Sequence, residues 1–173
     1  MKLVINVDGG ARGNPGPAAV GVVVRDGTGR VIEDHGVLIG DATNNVAEYK
    51  ALLLGIERAI ALGATDLELI GDSELVVKQV QGKYKVKNAG IKPLHAEAKA
   101  GLSKLDSWQI RHVRREQNSE ADGLVNQAFI DGAGEAAQGA FVTFAGLPPS
   151  ALKANGGPGG DYVTRMEEIV GHS

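Results

Sequence analysis

Apolar residues in this chain fall into short β-branched runs interrupted by longer stretches of helical period. Leu3, Val4, Ile5 and Val7 are too few for a helix, which predicts a buried strand that delivers Asp8 into a glycine-rich turn, Gly9-Gly10. Ala18 to Arg25 and Arg30 to Ile39 are two further strand patterns, and Asp26-Gly27-Thr28-Gly29 between them is a hairpin signal, so the chain is expected to open with three antiparallel strands. Capping residues at Asp41 to Asn45 then precede a long helical pattern that ends at Leu62-Gly63. Asp66 to Gly71 predicts a fourth strand ending at another acid, Asp72, with a helical run from Ser73 through Val80. Gln81 to Lys92 reads as a loop, Pro93 to Leu105 as a helix, Trp108 to Val113 as a fifth strand, and Asn118-Ser119-Glu120 as the opening of a helix to about Ile130. From Asp131 onward Ala, Gly and Pro dominate, which suggests a domain over residues 1–130 and a tail over 131–173, loosely ordered or docked. Within that tail Ala140 to Phe144 is a candidate strand and Tyr162 to Val170 a candidate helix.

Composition narrows the classes. At 173 residues the chain suits one domain with a substantial core. It has no cysteine, which excludes disulfides and thiolate metal sites, and no apolar run long enough for a bilayer or a signal-peptide core, so a soluble, cytoplasmic protein is expected. A net charge of −3 gives no bulk attraction to nucleic acid, so any such binding must be local. The clustered cations are Lys83, Lys85, Lys87 and Lys92 in one segment and Arg111, Arg114 and Arg115 in another, patterns that by themselves read as solvated surface.

Four acids carry the chemistry. If the strand before Asp72 runs parallel to the strand before Asp8, as a strand–helix–strand unit requires, both acids emerge at one sheet edge, where open α/β sheets place ligands. Glu48 shares a helix face with Ala51, Leu52 and Gly55, small and apolar positions that pack inward. Asp122 lies in the first turn of the last helix, with Val125 and Phe129 on its face. Taken singly, Asp8-Gly9-Gly10 reads equally well as a plain turn and Asp122 as a helix-start acid. Together the four need neutralising, and hard divalent cations such as Mg²⁺ suit such oxygen donors. A pair of ions about 3.5–4 Å apart can stabilise both the attacking and the leaving oxygens in phosphodiester cleavage.

The segments VDGGARGNPGP, TNNVAEYKALLLGI around Glu48, IGDSELVVKQVQGKYKVKN around Asp72 and VRREQNSEADGLVNQA around Asp122 resemble type 1 ribonuclease H, in its shorter prokaryotic subgroup. The resemblance spans residues 1–130. It implies a mixed five-stranded sheet in the order 3-2-1-4-5, with strands 1–3 antiparallel and helices alongside. It also implies endonucleolytic hydrolysis of the RNA strand of RNA/DNA hybrids to 5′-phosphate and 3′-hydroxyl ends; separately, the chain is expected to act as a monomer. Asp8, Glu48, Asp72 and Asp122 match the ligands of two Mg²⁺ ions, with Mn²⁺ as an alternative. Asn14, Thr43 and Asn44 match contacts to the hybrid backbone, the last two in a DNA-phosphate pocket at a helix N-terminus; Gly9, Gly10 and Ala11 match the turn that approaches RNA 2′-hydroxyls.

The chain departs from the family pattern in three places. Only Lys83, Lys85 and Lys87 stand where many members carry a longer basic insertion, which implies weaker, more salt-sensitive binding. Where many members have a mobile histidine, Arg115 is the counterpart in the shorter subgroup, with His112 as the competing candidate. Glu74 replaces a substrate-contacting glutamine. Rival readings are a non-catalytic hybrid-binding module and another nuclease of the wider superfamily.

Overall fold

The structure is a computed structural model that describes residues 1–134 and 142–143. Strand β1 (Lys2–Ala11) alternates buried and half-buried residues, with Leu3, Ile5 and Val7 entering the main core. It pairs antiparallel with β2 (Gly16–Asp26), which pairs antiparallel with β3 (Val31–Ala42). Asp26 closes the hairpin between them, its Oδ1 accepting from the amides of Thr28 and Arg30. After α1 (Asn44–Ala61), β4 (Asp66–Gly71) lies parallel to β1, and β5 (Ser107–His112) parallel to β4. Helices α2 (Glu74–Val80) and α3 (Lys92–Leu102) intervene, and a 3₁₀ turn, Arg115–Asn118, leads into α4 (Ser119–Gly134). The five expected strands thus take the expected order 3-2-1-4-5, and Val142–Thr143 adds a two-residue β6 antiparallel to β3. That strand falls within the candidate strand Ala140 to Phe144. Of the expected tail, residues 131–134 belong to α4 and Val142–Thr143 form β6; the rest, with the candidate helix at Tyr162 to Val170, lies outside the described residues.

One expectation is corrected. Asp8-Gly9-Gly10 is not a turn: β1 continues to Ala11, with Asp8 opposite Gly21, Gly9 opposite Val20 and Gly10 opposite Ala19. The chain turns at Arg12 to Pro15 instead, through a cis Asn14–Pro15 bond. Glycine has low strand propensity, but pairing with β2 overrides it. The parallel ladder with β4 stops at Val7 opposite Gly71, so Asp8 and Asp72 both lie just past its end.

Helix α1 is apolar around its whole circumference from Ala51 to Ile56 because it is wedged between the sheet and α3. Helix α4 covers the other face over β2 and β3, where Val125, Ala128 and Phe129 pack with Ala19. Asn118, 1% exposed, clasps this helix to the sheet: its Nδ2 donates to the Val7 carbonyl at 2.9 Å, and its Oδ1 accepts from Asn6 at 3.0 Å.

The core also holds a charge cluster. Arg58 of α1 grips Glu33 of β3 with two hydrogen bonds, 2.8 and 2.7 Å, and His35 Nε2 lies 2.8 Å from the same carboxylate. Burial pushes the Glu33 pKa up, yet the hydrogen bonds and charges of Arg58 and His35 outweigh it and bring it down from 4.5 to about 2. Because the folded-state pKa is the lower one, this stabilisation is present above pH 4.5 and is lost as pH falls toward 2. Urea unfolding from pH 5 to 2 is expected to show a steep loss of stability that Glu33→Gln flattens. At pH 7 that variant is expected to be about 3 kcal/mol less stable, since it removes the buried carboxylate charge to which Arg58 and His35 are bonded.

Candidate active site

The acids come together where β1 and β4 part. Asp8, Glu48 and Asp72 line one hollow beneath the sheet edge, with Ser73 and Val76 from the start of α2. A wider cleft continues from it, lined by Asp8, Glu48, Asp72 and Asp122 and by Gly9, Gly10, Ala11, Arg12, Asn44, Arg115 and Asn126. Four acids expected from strand ends and helix starts therefore face one cleft. Each arrives through a different device: β1 carries Asp8, the first turns of α1 Glu48, the end of β4 Asp72, and α4 Asp122, held to β1 by the Asn118 clasp.

Their proximity is visible in their proton affinity. Burial, then the charges of Asp72 and Asp122 and hydrogen bonds with both, raise the Asp8 pKa from 3.8 to about 8. Glu48 is raised to about 6, chiefly by burial; a Ser73 hydrogen bond lowers it and the Asp72 charge adds to the rise. Ser73 also caps α2, accepting from the Val76 amide at 3.3 Å, so it fixes both the helix and the acid. Glu48 Oε2 is buried without a hydrogen-bond partner. Buried carboxylates that repel one another, one with an orphaned oxygen, form a donor set suited to a hard cation. Among the described residues no three acids surround one point closely enough to form a ready-made cage.

Arg115 extends over the cleft from the 3₁₀ turn, 80% exposed, with Nη2 3.7 Å from Asp122 Oδ1. His112, the competing candidate, lies on β5 with Nε2 3.2 Å from the main-chain oxygen of Asp72, and is thus tied to the strand end. Asn14, Thr43 and Asn44 first of all build the scaffold. Asn14 Oδ1 accepts from the Asn44 amide at 3.1 Å, Asn44 Oδ1 from the Ala11 amide at 2.9 Å, and Thr43 Oγ1 from Val46 as the cap of α1. With their oxygens engaged, the two asparagines keep their NH₂ ends as donors for a ligand.

Gly9 faces α1 so closely that a Cβ would sit 2.2 Å from the Ala47 carbonyl oxygen; next to Gly10 the nearest atom would be 4.0 Å away. Lys83, Lys85 and Lys87 are exposed on the loop after α2 and line neither hollow, and Glu74 is paired with Lys78 at 2.6 Å. Sequence reading did not single out Ser73, Asn118 or Arg12. The first two looked like ordinary helix openers, and Arg12 like part of a glycine turn.

The mixed sheet of five long strands, extended by the short β6 and flanked by helices on both faces, is a ribonuclease H fold. The family described as Reverse transcriptase-like matches residues 6–128, and the chain belongs to it, on its ribonuclease H1 branch. Ribonuclease HI of Halobacterium salinarum is 45% identical over 124 residues, covering 72% of this chain and 62% of that protein. A bifunctional protein of Mycobacterium tuberculosis is 44% identical over 138 residues, covering 79% of this chain and 38% of its own. The chain thus spans less than two thirds of the length of these curated relatives. Among solved structures, ribonuclease H1 of Halobacterium salinarum superposes with a TM-score of 0.74 at 43% identity, covering 76% of this chain and 99% of that one. LC11-RNase H1 in complex with an RNA/DNA hybrid gives a TM-score of 0.72 at 40% identity over 76% of this chain and 99% of that one.

Proposed function

We propose that this chain is an endoribonuclease that hydrolyses the RNA strand of RNA/DNA hybrids, and that residues 1–130 suffice for it, with 131–173 dispensable. The observation that carries the reading is the cluster of Asp8, Glu48, Asp72 and Asp122 on one cleft, with Asp8 raised to about pKa 8 by burial and by the charges of Asp72 and Asp122. A module that only binds has little reason to concentrate four acids against a polyanion.

Asp8, Glu48, Asp72 and Asp122 would hold Mg²⁺ or Mn²⁺, which when bound supplies charge for water activation and for the leaving oxygen. Binding requires Asp8 to give up its proton, so the carboxylates recruit a cation more readily as pH rises toward 8. Arg115 offers an exposed cation beside Asp122 for the departing phosphate. Asn14, Thr43 and Asn44 orient a backbone phosphate at the N-terminus of α1. Gly9, Gly10 and Ala11 present main chain to the ribose side, and Lys83, Lys85 and Lys87 add screened, longer-range attraction. The protein would act as a cytoplasmic monomer; among the described residues no helix is long and apolar enough to cross a membrane.

The test is a substrate panel in Mg²⁺ and in Mn²⁺, run on the full chain and on one ending at Ile130: RNA/DNA hybrid, duplex DNA, duplex RNA and single strands. Cleavage confined to the RNA of the hybrid, retained on truncation, is expected. Binding of the hybrid without metal-dependent cleavage would sink the enzymatic reading.

A further inference from the structure

Arg12 is the cation of the cleft that the sequence motifs leave unassigned. Its guanidinium carbon lies 4.2 Å from the centroid of the Phe129 ring, and the side chain is exposed at the turn after β1. Among the described residues it forms no ion pair, whereas Arg25, Arg58, Arg111 and Arg115 are each set against a carboxylate. It therefore brings unneutralised positive charge to a cleft dominated by acids. Stacking on the ring holds a long side chain in one orientation, so less freedom is lost when its planar donor fork meets an anion.

Its position says which anion. Asp122, Val125 and Phe129 follow one another along the face of α4, and seven residues of helix place Phe129 about 10 Å beyond Asp122. Arg12, resting on Phe129, is too far along the cleft to serve the reacting phosphate and well placed for a neighbouring one.

We propose that Arg12, shelved on Phe129, binds a backbone phosphate of the bound nucleic acid flanking the phosphate at the acids. This rests on the hybrid-nuclease reading for the identity of the ligand. A guanidinium is suited to such contact, since it can meet two phosphate oxygens at once.

The experiment measures binding of a fluorescent RNA/DNA hybrid by anisotropy across a salt series in Mg²⁺, using the full chain in an Asp8→Asn background so that the hybrid survives. Arg12→Ala is expected to raise Kd about tenfold at low salt and to reduce the slope of log K against log salt by about 1. Arg12→Lys should keep the slope and lose about threefold in affinity, because the charge stays and the stacked fork goes. Phe129→Leu should likewise keep the slope with a smaller loss than Arg12→Ala. Unchanged Kd and slope in Arg12→Ala would overturn the proposal. So would weaker binding at an unchanged slope, which would reflect a disturbed turn rather than a lost phosphate contact. Cleavage by the parent protein is scored separately. Arg12-dependent binding without cleavage leaves this contact standing and removes the catalytic reading; cleavage with Arg12-independent binding does the reverse; a hybrid that does not bind at all removes both.

Discussion

Asp8→Asn is expected to abolish metal-dependent cleavage of an RNA/DNA hybrid and, in EDTA at pH 8, to raise the melting temperature of the protein. The two effects have one origin. In the folded chain Asp8 holds its proton up to about pH 8, against an ordinary 3.8, because it is buried beside Asp72 and Asp122. A folded-state pKa raised in this way means that the native state binds more protons than the unfolded chain between those values, so stability falls as pH rises from about 4 to 8. Asparagine has no charge to desolvate and does not repel its neighbours. The gain is expected to be about 1–3 kcal/mol at pH 8, vanishing near pH 4. Added Mg²⁺ should invert the ranking, since it stabilises the parent by mass action and has lost a ligand in the variant. Thermal melts at pH 4, 6 and 8, with and without Mg²⁺, check both signs. Undiminished cleavage by Asp8→Asn would remove the acid cluster as the reaction centre.

Gly9→Ala is the second large effect, and Gly10→Ala is its control. At Gly9 an added Cβ would stand 2.2 Å from the oxygen and 2.3 Å from the carbonyl carbon of Ala47, and 2.6 Å from the Glu48 nitrogen. All three are main-chain atoms of α1 and cannot rotate aside, so the helix itself must move. The expected cost is about 3 kcal/mol or more, and the displaced helix carries Glu48 away from Asp8, so activity falls with stability. At Gly10 the nearest atom would be the Val125 Cγ1, 4.0 Å away, an ordinary contact. Gly10→Ala should therefore melt within a few degrees of the parent and, on the proposed reading, lose hybrid affinity rather than fold. Melting curves alongside KM and kcat for the pair separate the packing of Gly9 from the open approach at Gly10. Equal stability in the two variants would show that the β1–α1 contact is not the constraint.

Particular residues show why much of this was legible in the chain and some was not. The strand order follows from local signals, such as the Asp26 to Gly29 hairpin and the strand–helix–strand unit ending at Asp72, each written within a dozen or so residues. Glu48 was placed correctly because a helix repeats its face every three to four positions, so inward neighbours are visible nearby. Gly9 and Gly10 were misread as a turn because their strand character comes from β2, not from themselves. The Glu33–Arg58 pair and the Asn118 clasp were unreadable for the same reason: their partners lie 25 and 111 residues away. Arg12 was overlooked inside a motif whose glycines and asparagine drew attention, and only the ring of Phe129 gives it meaning.

The Asn118 clasp also bears on timing during synthesis. A growing chain that has emerged as far as α3 already contains Asp8, Glu48 and Asp72, but not the segment that hooks onto the Val7 carbonyl and brings in Asp122. On the proposed reading, hydrolytic competence arrives in one late step when that segment closes. A ribosome-bound fragment would then carry three acids and no working scissors.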